Sequence, residues 1–275
     1  MSARVLLLSE RLRVEDRLLI DAFDGIGQAA RLVTPAEIGS IVFGEARVGS
    51  GDVGSPEDVL ILSRLYPTRE ASALLWAIEA GGWRVVPGAA QMDVFARRDR
   101  LYRELNRAGV GVVETVLGWG TAAVLEAADR VGWPVEFLPL DGGEPGIIVE
   151  DREGAEAVVE HRAVLGREHV LLVRRAAGSL AGRRLMIAGS EVFASLLSGE
   201  GNWTPDPVTP ADLEVAGQVS AAVGAPLIDM HYLPDADDAV TLVMPLLSFR
   251  VVQSSQSDVA AAIAGCVGRM EAGHG

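Results

Sequence analysis

Residues 58–65, Asp-Val-Leu-Ile-Leu-Ser-Arg-Leu, form a continuous apolar run with polar ends. A run of this kind is a strand buried on both faces, and such strands belong to parallel sheets covered by helices on either side. The surrounding pattern agrees. Residues 4–9 make another short apolar strand, and 12–23 carry apolar residues at helical spacing. Residues 30–33 are a second short strand before the turn at Thr34-Pro35. An amphipathic helix over 68–80 ends at Gly81-Gly82, and 83–87 is a further strand. The first third is therefore predicted as β-α-β-β-α-β, a small parallel α/β domain, with a Gly-rich loop over 44–54.

Further along, helices are predicted over 89–95 and 98–108, a strand over 110–117, and a helix over 121–131 with Thr121 as its cap. A strand over 134–140, the turn Asp141-Gly142-Gly143-Glu144-Pro145-Gly146 and a returning strand over 147–150 follow, then a helix over 152–165. The last part reads as hairpins plus helices. Strands over 170–174, 184–187 and 191–197 include a hairpin turn at Ala188-Gly189-Ser190. A helix over 209–223 starts at the cap Thr209-Pro210. Strands over 227–233 and 240–247 flank an acidic turn, and a helix over 257–270 closes the chain.

Charge and composition narrow the function classes. The 275 residues carry 24 basic and 38 acidic side chains, a net charge of −14. A negative field of that size excludes nucleic acid or an anionic membrane as the main partner. No apolar run reaches the ~18 residues of a membrane span, and the run at 5–8, with Glu10 and Arg11 behind it, is expected to be a strand rather than a signal peptide. Every basic residue is arginine. Schiff-base chemistry, a P-loop lysine and a lysine general base are all ruled out. Cys266 is the only cysteine, so neither an intramolecular disulfide nor a cysteine zinc site can form, and a cytoplasmic location is expected. Within its small-residue segment, Cys266 reads as a buried apolar residue.

The order of elements, with three local stretches, resembles the ATP-grasp superfamily and within it the RimK/LysX-like carboxylate–amine ligases. Leu60-Ile-Leu-Ser-Arg64 and the helix ending at Gly82 are similar to the close of the family's N-terminal domain. Arg98-Asp-Arg-Leu101 with Leu105-Asn-Arg-Ala-Gly-Val110 resembles its D-K-x-x-x-x-x-x-L-x-x-A-G-I stretch. Trp133-Pro-Val-Glu-Phe-Leu-Pro139 and Asp141-Gly-Gly-Glu-Pro-Gly-Ile147 resemble its P-V-V-x-K-P strand and Gly-rich phosphate loop. The resemblance implies an α/β chain, α+β in its C-terminal part, with the ATP-grasp fold behind an N-terminal Rossmann-like pre-ATP-grasp domain. The expected division is 1–88 for that domain, 89–165 for the central subdomain and 166–275 for the C-terminal one.

Ligases of this family phosphorylate a carboxylate with ATP and let an amine displace the phosphate, so cations and Mg²⁺ must meet the triphosphate charge. The resemblance puts Arg100 in the first phosphate-lysine slot and Leu138 in the second. Gly142 and Gly143 fall in the phosphate loop, and Arg174 falls at the adenine hinge in place of an acid. Arg184 is retained near the phosphates and reacting carboxyl, as a catalytic residue. Asp229 is retained as the first metal carboxylate. The Glu-x-Asn metal pair falls on Pro245 and Leu247, neither of which offers a side-chain oxygen. The loop around Asn202-Trp203-Thr204-Pro205 is shorter than the family's.

These losses lead us to expect a degenerate member that binds ATP and Mg²⁺ weakly or not at all. It would serve as a binding or scaffold partner, for an active ligase or a carrier protein, in amino-acid or small-molecule biosynthesis. The alternative is an active ligase with a rewired site, in which Arg100, Arg174 and Arg184 hold phosphates and Asp229 one Mg²⁺. A third is a sensor for a small anion. The family implies a homo-oligomer. Arg97, Arg98, Arg100, Arg103 and Arg107 form the densest basic patch, either an anion site or a solvated helix face paired with Asp99 and Glu104. Asp235, Asp237 and Asp238 read as a polar turn. His231, two residues after Asp229, is either structural or turned to the cleft on the same strand face.

Overall fold

A computed structural model describes residues 5–38, 41–42, 45–46, 56–165, 170–176, 182–197, 203–233, 239–246 and 253–272. The first sheet holds β1 (Val5–Leu8), β2 (Ala30–Val33), β5 (Leu60–Ser63) and β6 (Arg84–Val86). Its strands run parallel in the order β2-β1-β5-β6. Every residue of β1 and β5 is buried, which is what an apolar run without alternation requires. Val5, Leu7, Leu60 and Leu62 pack toward α1 (Val14–Gly25). Leu6, Leu8 and Ile61 pack on the other face, against α2 (Arg69–Ala80). Thr68 caps α2 by accepting a hydrogen bond from the Ala71 amide at 3.1 Å. A small antiparallel pair, β3 (Ile41–Val42) and β4 (Glu45–Ala46), lies at the start of the stretch expected as loop. Residues 44 and 47–54 of that stretch lie outside the described residues.

The second sheet is antiparallel, in the order β7-β10-β8-β9. It is built from β7 (Thr115–Trp119), β8 (Val135–Pro139), β9 (Ile147–Val149) and β10 (Val170–Arg175). Phe137, Leu171 and Val173 on one face meet α5 (Thr121–Val131) and α6 (Arg152–Val164). Helices α3 (Ala89–Phe95) and α4 (Arg98–Arg107) precede it. Two expectations need correction here. The strand expected over 110–117 is divided: 111–113 run beside the third sheet, where Val112 bridges Val240, and β7 begins only at Thr115. Thr121 is the first helical residue of α5 and not its cap. The chain turns into the helix at Gly120, whose φ of +82° favours glycine.

The third sheet is also antiparallel, in the order β13-β12-β11-β14-β15. Its strands are β11 (Arg183–Ala188), β12 (Glu191–Leu197), β13 (Trp203–Asp206), β14 (Leu227–Leu233) and β15 (Ala239–Pro245). Helix α7 (Pro210–Val223) covers one face and is capped at Thr209 as expected. Helix α8 (Gln253–Ala272) packs Val259, Ile263 and Val267 into one cluster with Leu7, Leu62 and Met186, so it joins the first sheet to the third. Cys266 is buried there, and burial pushes its thiol pKa up. A second tie is polar. Arg64, buried at the end of β5, donates to Asp16 on α1 at 3.0 Å and to the Leu246 carbonyl beyond β15 at 3.0 Å.

Candidate functional site

Alternation along a strand sends neighbouring side chains to opposite faces. Arg184 therefore leaves β11 on the face away from α7, level with Ser195 on β12 and His231 on β14. Asp229, two residues before His231, shares that face. Its carboxylate takes Arg184 in a bidentate fork, Nε to Oδ1 at 2.8 Å and Nη2 to Oδ2 at 2.6 Å. The two side chains are 8% and 6% exposed, so little water screens the pair. His231 Nε2 stands 3.8 Å from Asp229 Oδ1, beyond hydrogen-bond range, and its ring lies 4.8 Å from that of Trp203 on β13. Burial holds the His231 imidazole below its usual pKa. Asp229 opposes that shift, while Arg184 and Arg174 add to it.

Arg174 approaches the same region from β10 of the second sheet. Its Nε donates to Glu136 Oε2 at 2.7 Å and its Nη2 lies 2.6 Å from the same oxygen. Glu136 is its register partner on β8. The other end of the guanidinium donates to the Thr241 carbonyl on β15 and lies 3.5 Å from the Tyr102 hydroxyl. One side chain thus bridges the second and third sheets across the cleft. The structure brings Arg174, Arg184 and Asp229 together around His231.

Gly142 and Gly143 are engaged elsewhere. A Cβ on Gly142 would sit 2.1 Å from the Phe95 carbonyl oxygen, and one on Gly143 would sit 2.5 Å from Thr68 Cγ2. Their small size lets the loop pack on α3 and on the start of α2. The Gly142 amide donates to the Ala96 carbonyl at 2.9 Å and the Gly143 amide to Asp141 Oδ1 at 2.8 Å. Arg98 grips the same loop from α4. It donates to the carbonyls of Pro139, Asp141, Gly142 and Glu144 at 2.6, 2.7, 3.2 and 2.5 Å. Burial pulls the Arg98 pKa down. Arg100 turns instead to Asp93 on α3 and leaves its buried Nε without a partner. Leu138 is buried in β8, and Pro245 ends β15. Leu247, Asn202 and the acidic turn at 235–238 lie outside the described residues.

Sequence reasoning named the cations and Asp229, but not the carboxylates that hold Arg174 and Arg100. Glu136 and Asp93 were missed, and Arg98 appeared only as one of a basic patch. A charged residue inside the apolar strand 134–140 was the available signal for Glu136. Among the described residues, no group of three or more His, Cys, Asp or Glu side chains is placed to hold a metal ion. No helix among them is long and apolar enough to cross a membrane.

No protein-family model and no curated protein sequence matches the chain. Solved structures do. A RimK-domain ATP-grasp protein from Sphaerobacter thermophilus DSM 20745 superposes with a TM-score of 0.83 at 33% identity, covering 96% of this chain and 99% of that one. The ATP-grasp ligase PsnB, complexed with a minimal precursor, matches at TM-score 0.72 and 12% identity over 99% of this chain and 100% of its own. The D-cycloserine synthetase DcsG matches at TM-score 0.71 and 16% identity over 97% and 99%. The last two share the fold. The first, a third identical over almost the full length of both chains, shows the family, and this chain belongs to the RimK-like ATP-grasp proteins.

Proposed function

We propose that this chain is a degenerate member of its family, one that keeps the ATP-grasp frame but does not ligate. It serves as a binding or scaffold partner, for a carrier protein or an active ligase, in amino-acid or small-molecule biosynthesis. One observation carries this reading: the arginines that would meet a triphosphate already face the chain's own carboxylates. Arg184 is held by Asp229, Arg174 by Glu136 and Arg100 by Asp93. Both oxygens of Asp229, the one retained metal carboxylate, are engaged in that fork. The loop amides at Gly142 and Gly143 also have partners. These residues do not fit a magnesium triphosphate as they stand, because nucleotide and metal would have to break three ion pairs to enter. PsnB has been solved with Mg and ADP, and with a precursor peptide and AMPPNP. The peptide complexes favour a peptide-like partner for this chain as well.

The division into 1–88, 89–165 and 166–275 is kept in this reading, with β10 reaching back across the last border into the central sheet. So are a cytoplasmic location, a homo-oligomeric state and a small-molecule anion as ligand. Isothermal titration with ATP and Mg²⁺ tests the proposal. The expected trace has no magnesium-dependent heat at micromolar nucleotide. Clear micromolar binding that needs magnesium, followed by substrate-dependent ADP release, would return the chain to the rewired ligase.

A further inference from the structure

β13 is shorter than β12, and the mismatch leaves a gap at the edge of the third sheet. The last register pair is Ala194 with Asp206. Beyond Asp206 the chain leaves through Pro207 and Val208 to reach the cap of α7, so Val192 and Phe193 on β12 have no β13 residue beside them. A cavity of ≈ 150 Å³ occupies that gap. Met186 and Ser195, 1% and 0% exposed, lie at its floor, and Phe193 walls it. Pro205, Asp206 and Val208 form the rim, where Val208 is 38% exposed. Met186 pairs with Phe193 and Ser195 with Pro205, so alternation sends these four side chains to one face of the sheet. The Ser195 hydroxyl thus leaves β12 among the cavity's own walls.

Ser195 Oγ is buried and has no hydrogen-bond partner among the described residues. A hydroxyl taken out of water in this way loses its donor and its acceptor interactions together, and native chains rarely leave one so. Water completes it poorly, because a held water needs about three polar partners and the neighbouring walls, Met186, Phe193 and Pro205, are apolar. The charged group at the rim is already engaged: Asp206 accepts from Arg183, which Asp212 also holds. The cavity therefore offers apolar walls, one hydroxyl and no uncompensated charge. A cavity of about this volume takes one benzene ring. We propose that it binds a neutral, ring-sized organic group whose single hydroxyl or carbonyl pairs with Ser195 Oγ. The site stands beside the cleft, since Ser195 is the register partner of Arg184, but Arg174, Arg184, Asp229 and His231 are not among its lining residues. Its ligand is independent of whether the cleft takes nucleotide.

Phenol, toluene and benzoate are the probes, ring compounds that differ in a single substituent. Each is titrated against the full chain by ligand-observed NMR, without nucleotide. Phenol should bind with a dissociation constant of about 1 mM, and benzoate more weakly, because its charge finds no counterpart in the cavity. Ser195→Ala removes one buried atom and leaves the packing intact. It is expected to lower the affinity of phenol relative to toluene about fivefold. Val208→Trp, at an exposed position, lays a larger side chain over the rim and should weaken both neutral probes about tenfold or more. No phenol binding up to about 10 mM, an unchanged phenol-to-toluene ratio in Ser195→Ala, full binding by Val208→Trp, or benzoate tighter than phenol would each overturn the proposal. Magnesium-dependent nucleotide binding is read in the absence of these probes and bears on the cleft alone, so the two readings fail separately.

Discussion

Arg183 and Arg184 are consecutive residues on β11, and each holds an aspartate in a two-point fork, yet the two forks do different work. Arg183 faces α7 and takes Asp212 at 2.8 and 2.7 Å. Asp212 also accepts from the Thr209 amide and hydroxyl, at 2.7 and 2.8 Å, and from the Tyr232 hydroxyl. Burial pushes the Asp212 carboxyl up, and these hydrogen bonds more than offset it, so its pKa lies below the usual range. That fork anchors a helix to a sheet. Arg184 faces the cleft, and its Asp229 is flanked by His231 at 3.8 Å. The contrast teaches that the same ion-pair geometry can anchor a helix on one face of a sheet and stand at the cleft on the other. What distinguishes them is how many further donors complete the carboxylate.

The largest effect is expected from Asp212→Ala. It leaves the buried Arg183 with only Asp206 and the Pro207 carbonyl, removes an acceptor from Tyr232 and takes away the carboxylate that accepts from Thr209 at the start of α7. Urea unfolding should show a loss of about 3–5 kcal/mol. A loss below about 1 kcal/mol would erase the distinction between the two faces. Asp229→Asn should cost less, about 1–3 kcal/mol, and should create inorganic pyrophosphate binding by freeing Arg184. Calorimetry that finds no new anion binding would mean that Asp229 is not what masks the cation. His231→Gln sets the smallest effect. Because the folded chain holds this imidazole below its ordinary pKa, the unfolded chain takes up the proton first as pH falls. The associated stability is complete above the ordinary histidine value of about 6.5 and drains away as pH drops beneath it. Unfolding midpoints measured across that window should slope less for His231→Gln than for the natural chain. An unchanged slope would remove His231 from the cleft account.

The sequence made the elements legible more readily than their partners. The strand over 227–233, the helix over 89–95 and the Thr209-Pro210 start of α7 were readable because apolar period and capping chemistry are local. β13 was hidden because Trp-Thr-Pro-Asp has no strand pattern of its own and is ordered by pairing with β12. The site was half visible. Arg174, Arg184 and Asp229 could be named from their segments, while the pairing of Arg174 with Glu136 and of Arg100 with Asp93 could not, since strand register and helix packing choose ion-pair partners. A glycine pair such as Gly142-Gly143 reads alike whether a backbone carbonyl or a phosphate comes close.

Everything turns on whether Arg184 and Asp229 stay with each other when a nucleotide is offered. A crystal of the chain soaked with AMPPNP and Mn²⁺ answers this through the anomalous signal of manganese. The account predicts no manganese at Asp229 and an unbroken fork. Manganese on the Asp229 carboxylate, with Arg184 swung onto the phosphates, would contradict it and make the chain a nucleotide-using ligase.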